Sequence, residues 1–298
     1  MIVAAIDQGT NTTRLLVAAV EDGRLEELHR ETRITRLGEG VDARRRLLPV
    51  PIARVRNTLS DYRRTAESLG AERTLLVATS AVRDAENGEA FLGEIEWSYG
   101  FATRLLSGDE EAELMRRGLG STAPGTLIVD IGGGSTELVL DAFQTSLRMG
   151  SVRFTERHDE DIRALDAAAT AVLPELEPSA AIGVAGTITT LAALDLGLPK
   201  YDRKHVHGHV LTLEAARAQL ERLAALPLEE RRQVPALEPE RAPVIVAGAA
   251  ILVAVLEAYG LHAITVSERG LLHGAAFAAA ELPEPEEGAA PPGAYTCC

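Results

Sequence analysis

Ile2-Val3-Ala4-Ala5-Ile6-Asp7-Gln8-Gly9-Thr10-Asn11-Thr12-Thr13-Arg14-Leu15-Leu16-Val17 decides the fold, because a later stretch repeats its plan. That stretch is Thr126-Leu127-Ile128-Val129-Asp130-Ile131-Gly132-Gly133-Gly134-Ser135-Thr136-Glu137-Leu138-Val139-Leu140. With Asp7 set on Asp130, Gly9 falls on Gly132, Thr12 on Ser135, Thr13 on Thr136 and Leu15 on Leu138. Each copy is an apolar strand carrying an Asp, a turn of Gly and hydroxyl residues, then a second apolar strand. An internal repeat at this distance predicts two similar domains. The expected arrangement is a shared cleft, with a polyphosphate-like group between two hairpin turns.

The turns carry the chemistry. Glycine tolerates positive φ and, lacking a Cβ, lets amides approach a ligand closely. Successive amides in a turn make an anion-binding concavity, and Ser and Thr hydroxyls add donors. A carboxylate at the end of each strand repels phosphate unless a hard cation stands between, so Mg²⁺ (or Mn²⁺) is implied. One such turn reads equally well as an ordinary glycine hairpin; the pair in register favours phosphate.

Bulk properties narrow the class. The chain has 298 residues, enough for two domains with proper cores. It is 46% hydrophobic, yet no apolar run nears the length of a membrane span. No signal-peptide pattern precedes the first strand. The only cysteines, Cys297 and Cys298, are adjacent and cannot frame a disulfide scaffold, which fits a reducing cytoplasm. A net charge of −14 argues against general nucleic-acid binding, and a polyanionic substrate needs a local basic patch.

Strands are predicted at 2–7, 14–20 and about 25–36, then a basic, loop-like stretch from Asp42 to Pro51. Helix 52–69, strand 73–79, helix 86–97, strand 101–106 and helix 109–119 follow. Gly120-Ser121-Thr122-Ala123-Pro124-Gly125 is the predicted boundary between residues 1–123 and 124–267. The second half repeats the plan with strands 126–131, 136–141 and 145–150, then a helix from about 153. Strand 181–185 leads into Gly186-Thr187 and a helix. Helices near 212–225 and 239–258 and a strand at 262–266 complete it. A last helix, within 268–281, is placed to pack back on the first domain, and 282–298 reads as a disordered tail. The class is mixed α/β.

The chain resembles the exopolyphosphatase and guanosine-pentaphosphate phosphohydrolase (Ppx/GppA) family over about 1–280. The carriers are AIDQGTNTTRLLV (5–17), ITRLGEG (34–40), ATSAVRDAENG (78–88), LSGDEEAEL (106–114), DIGGGSTELV (130–139), GSVRFTER (150–157), GVAGTITTLAAL (183–194), VHGHVLT (206–212) and SERGLLHG (267–274). The resemblance implies two ribonuclease-H-like, actin-like domains around a central cleft. Gln8, Thr10, Thr12 and Thr13 depart from the commoner Ile or Leu, Ser, Ser and large residue. Long members carry further C-terminal helical domains, before which this chain stops.

Matched residue by residue, the resemblance implies these roles. Glu111 is the general base for an attacking water, with the adjacent Glu110 its rival. Both also read as an acidic helix N-terminus, which the dipole favours. Arg83 clamps the phosphoryl group. Glu137 serves water and metal, and Asp7 and Asp130 serve Mg²⁺. Gly9, Thr10, Asn11, Thr12 and Arg14 of the first turn, and Gly132, Gly133, Gly134, Ser135 and Thr136 of the second, bind phosphate. Gly186 and Thr187 either contact the distal substrate or start a helix. Arg203, Lys204 and Arg269 are candidates for a basic path or for plain surface. His205, His207 and His209 could line one face of an extended strand; a structural role suits them better than zinc.

The implied activity is Mg²⁺-dependent removal of terminal orthophosphate from inorganic polyphosphate in the cytoplasm. The alternatives are hydrolysis of guanosine pentaphosphate to the tetraphosphate, an ATP-dependent sugar kinase, and a non-catalytic sensor of guanosine alarmones. SGDEEA speaks against the kinase, and the intact carboxylates against the sensor. The implied partners are polyphosphate or guanosine penta- and tetraphosphate, with no nucleic acid and no membrane; a homodimer is left open.

Overall fold

The computed structural model describes residues 1–283; the tail beyond them, with Cys297 and Cys298, lies outside the described residues. The chain forms two compact units, Met1–Gly120 joined by the segment from Leu271, and Ser121–Gly270.

The first unit opens with β1 (Ile2–Gln8), β2 (Thr12–Glu21) and β3 (Arg24–Ile34). Then come α1 (Val41–Arg44), α2 (Pro49–Ser68), β4 (Arg73–Ala78), α3 (Ser80–Arg83), α4 (Gly88–Tyr99), β5 (Ala102–Leu105) and α5 (Gly108–Leu119). The sheet order is β3-β2-β1-β4-β5. β1 pairs antiparallel with β2 and parallel with β4. Alternation along a strand sends successive side chains to opposite faces. Ala4 and Ile6 therefore join a core with Val55, Leu59 and Tyr62 of α2. Val3 and Ala5 join another core with Leu114 of α5 and the segment 271–279.

The second unit holds β6 (Thr126–Ile131), β7 (Thr136–Leu140), β8 (Phe143–Leu147), α6 (Ser151–His158), α7 (Ile162–Thr170), β9 (Ala180–Val184) and α8 (Ala185–Asp195). α9 (Arg203–Val206), β10 (Val210–Thr212), α10 (Leu213–Ala225), α11 (Leu228–Arg231), α12 (Ile245–Ala258) and β11 (Ala263–Val266) follow. Its sheet order, β10-β11-β9-β6-β7-β8, repeats that of the first unit with β10 added at one edge. α12 is apolar all round because it is buried among α6, α7, α8 and α10. The last helix, α13 (Leu271–Ala280), belongs to the first unit and packs on α5 and β1. Among the described residues no helix is long and apolar enough to cross a membrane.

Several expected bounds are corrected. Pro49 starts α2 within the stretch expected to be loop, since a first-turn proline loses no helical hydrogen bond. The helix expected at 86–97 begins two residues later, and its Gly88 lies so close to Val82 that a Cβ would meet the Val82 carbonyl oxygen at 2.1 Å. The single helix expected from 153 is two. Asp159 takes φ 52, and Asp161 caps α7 by accepting from the amides of Arg163 and Ala164 at 3.0 and 3.1 Å. β10 is a three-residue edge strand, too short for its pattern to show.

Arg231 is 1% exposed, yet it donates to the carbonyls of Leu223 at 2.8 Å, Leu226 at 3.0 Å and Ala242 at 3.2 Å and pairs with Glu160. Truncation removes one buried donor from all three carbonyls and the cation paired with Glu160. Arg231→Ala is expected to destabilise the chain by about 3 kcal/mol, measured by urea unfolding.

Candidate active site

The two hairpins repeat at atomic detail. Asp7 stands opposite Arg14 across β1 and β2, and Asp130 opposite Glu137 across β6 and β7. The Gly9 amide donates to the Thr12 carbonyl at 2.9 Å, and the Gly132 amide to the Ser135 carbonyl at 3.0 Å. Neither glycine takes a positive φ, contrary to one reason given for it from sequence. Close approach is the operative reason: a Cβ would meet the Thr12 oxygen at 3.2 Å and the Ser135 oxygen at 3.1 Å.

The first turn is braced from behind. The Asn11 carbonyl accepts from the Thr35 and Arg36 amides at 3.0 Å, and the Thr10 carbonyl accepts from Gly38 at 2.8 Å. Thr13 donates to Gln8 at 2.8 Å and shares a hydrogen bond of 2.8 Å with Thr35. The departures at Gln8 and Thr13 thus belong to one buried polar network. Asn11 is buried, and neither its Nδ2 nor its Oδ1 has a partner among the described residues. Arg14 is drawn onto Asp7, its Nε donating to Oδ2 at 2.7 Å. Asp7 is 1% exposed, and its Oδ1 has no hydrogen-bond partner among the described residues.

In the same unit, Ser107 separates the two rival carboxylates. A capping box ties Glu110 to Ser107: the Ser107 amide donates to Glu110 Oε2 at 2.8 Å, and the Glu110 amide to Ser107 Oγ at 3.2 Å. The Ser107 amide, and the Ser107 hydroxyl donating to the same oxygen at 2.9 Å, hold the Glu110 carboxyl below the usual carboxylate range. Glu111 points elsewhere, 6% exposed, with Arg83 Nη1 at 3.4 Å from Oε2. Arg83 comes from α3, after the end of β4, and also donates to the Leu106 carbonyl.

In the second unit, the amides of α6 order the glycine turn. Ser151 donates to the Gly132 carbonyl at 3.0 Å, and Val152 and Arg153 to the Gly133 carbonyl at 2.8 and 3.1 Å. The buried Arg153 guanidinium donates from Nε to the Gly134 carbonyl at 2.6 Å. With its carbonyls at Gly132, Gly133 and Gly134 all accepting from α6, the conformation of the turn is fixed. Gly150 permits this packing, since a Cβ would lie 2.6 Å from Gly133 and Gly134 backbone atoms. The Thr136 hydroxyl donates to the Met149 carbonyl at 2.7 Å, so it braces the turn. Arg153 was missed from sequence, although GSVRFTER flagged its neighbourhood; a buried arginine acting on a carbonyl has no spacing signature.

Asp130 and Glu137 are both buried, and Glu137 accepts from Ser146 Oγ at 2.7 Å. Among the described residues no three or more His, Cys, Asp or Glu are grouped to hold a metal. Mg²⁺ does not require such a cage: one or two carboxylates, waters and phosphate oxygens suffice. Two carboxylates set directly opposite one another fit that chemistry, as does the unsatisfied oxygen of Asp7.

Gly186 and Thr187 lie in the first turn of α8. Gly186 faces the Arg241 guanidinium, where a Cβ would meet Nη1 at 2.5 Å. Thr187 packs through Gly248 toward Ser151, next to the second turn. The histidines do not share a strand face. His205 lies in α9 on Asp202 at 2.8 Å, His207 accepts from the Glu268 amide at 3.2 Å, and His209 pairs with Asp195 at 2.7 Å. Gly208, at φ 83, breaks the extension.

The model of the Ppx/GppA phosphatase family matches residues 16–281. Exopolyphosphatase 2 of Mycobacterium tuberculosis is 38% identical over 93% of this chain and 98% of its own length. The guanosine-5'-triphosphate,3'-diphosphate pyrophosphatase of Vibrio atlanticus is 30% identical over 92% of this chain but 58% of its own. The crystal structure of an exopolyphosphatase-like protein superposes with a TM-score of 0.85 at 33% identity, covering 92% of this chain and 97% of that one.

Glu110 has a lowered folded pKa, so its contribution to stability is complete above the unfolded value of about 4.3. That contribution is lost as pH falls through the lowered value. Glu110→Gln is expected to reduce the loss of melting temperature on acidification below about pH 4, read by calorimetry. Arg153→Met is expected to lower phosphate-analogue affinity about tenfold or more while Arg153→Lys restores part of it, measured by calorimetric titration.

Proposed function

We infer the reaction from the family to which this chain belongs, the Ppx/GppA phosphatases: removal of terminal orthophosphate from inorganic polyphosphate by a base-activated water. The observation that carries the reading is the division of labour at the start of α5. Glu110 is consumed by the cap, and Glu111 is the buried carboxylate held beside Arg83.

Glu111 takes a proton from a water whose oxygen attacks the terminal phosphorus in line. The bridging P–O bond breaks, and the shortened chain leaves with the bridging oxygen. Arg83 faces the charge that spreads over the phosphoryl oxygens. In the first unit, amides of the turn at Gly9–Thr12 bind non-bridging oxygens, with Asn11 offering its unpaired amide; in the second unit, the turn at Gly132–Ser135 offers amides of the same kind. Asp130 and Glu137 of the second unit would hold Mg²⁺ or Mn²⁺, which when bound offsets phosphate charge and polarises its oxygens; Asp7 of the first unit offers its unsatisfied oxygen for the same kind of cation. Gly186 and Thr187 belong to the scaffold behind the second turn. A cytoplasmic setting goes with this reading.

Guanosine pentaphosphate is the second reading, favoured by the similarity to the Vibrio pyrophosphatase. It presents the same terminal phosphoanhydride to the same residues. The lower identity and partial coverage of that relative put it second. A pure alarmone sensor has no use for the Glu111–Arg83 pair.

Orthophosphate release with Mg²⁺ from polyphosphate, guanosine pentaphosphate and ATP tests this. Polyphosphate is expected to be the best substrate. Glu111→Gln is expected to lower kcat by about 10²–10⁴-fold with little change in melting temperature, while Glu110→Gln keeps most of the activity. No release from any substrate would defeat the reading.

A further inference from the structure

Arg44, Arg45 and Arg46 stand in sequence at the end of α1, all three exposed. Many arginines of the first unit are spent on carboxylates: Arg33 on Asp61, Arg54 on Glu39, Arg56 on Glu94, Arg63 on Glu67. The three side chains at 44–46 have no ion pair or hydrogen bond among the described residues. In a chain of net charge −14, three adjacent unpaired guanidiniums are the local basic patch that a polyanion requires.

Their placement ties them to the candidate site. The loop between β3 and α1 packs at Gly38 between Thr10 of the first turn and Ala81 of α3. The Glu86 amide donates to the Arg45 carbonyl at 2.8 Å, and Asn87 exchanges hydrogen bonds of 2.8 and 3.1 Å with the Leu47 backbone. Glu86 is three residues from Arg83, a chain reach of at most about 10 Å. The backbone is also held unfavourably: Arg45 takes φ 54 and Arg36 φ 50, where glycine or asparagine is cheaper. Such strain persists only where the surroundings impose it, and it clusters at binding segments. The path suggested from sequence is less suited, since Arg203 is paired with Glu268 at 3.2 Å.

We propose that Arg44–Arg45–Arg46 form a distal subsite that binds the internal phosphates of a polyphosphate chain whose terminus lies at the turn of Gly9–Thr12. This rests on the polyphosphate reading. Guanidinium forks suit the repeated anionic oxygens of that ligand, and a nucleoside offers no such repeat.

The test is equilibrium binding of end-labelled long-chain polyphosphate to the full chain at two salt concentrations, for wild type, R44A/R45A/R46A and R44K/R45K/R46K. Binding does not need turnover, so its result separates from that of the hydrolysis assay. The alanine variant is expected to bind roughly tenfold or more weakly with a shallower salt dependence, at an unchanged melting temperature. The lysine variant, which keeps the charge, is expected to hold most of the affinity. KM for polyphosphate is expected to rise more the longer the chain. Equal affinity and salt dependence in wild type and the alanine variant would overturn the subsite even if polyphosphate is hydrolysed. So would equal competition by duplex DNA at matched phosphate, which would make the patch a general anion surface. Loss of binding in the alanine variant of a chain that hydrolyses no polyphosphate would sustain the subsite and defeat only the catalytic reading.

Discussion

One backbone hydrogen bond, made twice, organises the candidate site: glycine amide to the carbonyl three residues on, Gly9 to Thr12 and Gly132 to Ser135. It closes a hairpin in which a Cβ would crowd the facing carbonyl at 3.1–3.2 Å, and it fixes which residue stands across from each strand-end aspartate. A slip of one residue would turn every side chain to the other face of its sheet. Asp7 and Asp130, the turn amides and the residues opposite them would then all leave their places. The bracing around each turn serves the same end. Loop 35–38 holds the first from behind, and α6 with Arg153 holds the second.

The duplicated hairpins have diverged where chemistry differs. Opposite Asp7 stands Arg14, so the first carboxylate already has a cation. Opposite Asp130 stands Glu137, so the second hairpin offers two carboxylates side by side. The first copy suits anion binding beside a fixed charge pair; the second suits a hard cation. A parallel division occurs at Ser107, where neighbouring glutamates take opposite tasks. Helix capping commits Glu110, and helix geometry turns Glu111 inward to Arg83.

The repeat was legible in sequence because period-two apolar strands and a glycine turn leave a strong local pattern. It gave the mixed α/β class and the register of Asp7 on Asp130. The family and its fold were also legible, in blocks such as ATSAVRDA and GGGSTE. Local patterns did not reveal what depends on three-dimensional neighbours. Thr136 reads as a ligand hydroxyl until Met149 is seen to accept from it. Arg14 reads as a free phosphate contact until Asp7 is placed beside it. His205, His207 and His209 alternate like a strand, but α9 and the turn at Gly208 separate them. Arg153 acts on a backbone carbonyl, which no residue spacing encodes.

The most direct test of the account is a single turnover on polyphosphate in ¹⁸O-labelled water, with mass analysis of both products. Attack by a base-activated water on the terminal phosphorus places one labelled oxygen in the released orthophosphate and none in the shortened chain. Label in the shortened chain would mean attack at the penultimate phosphorus, and would contradict the placement of the chain end beside Glu111 and Arg83.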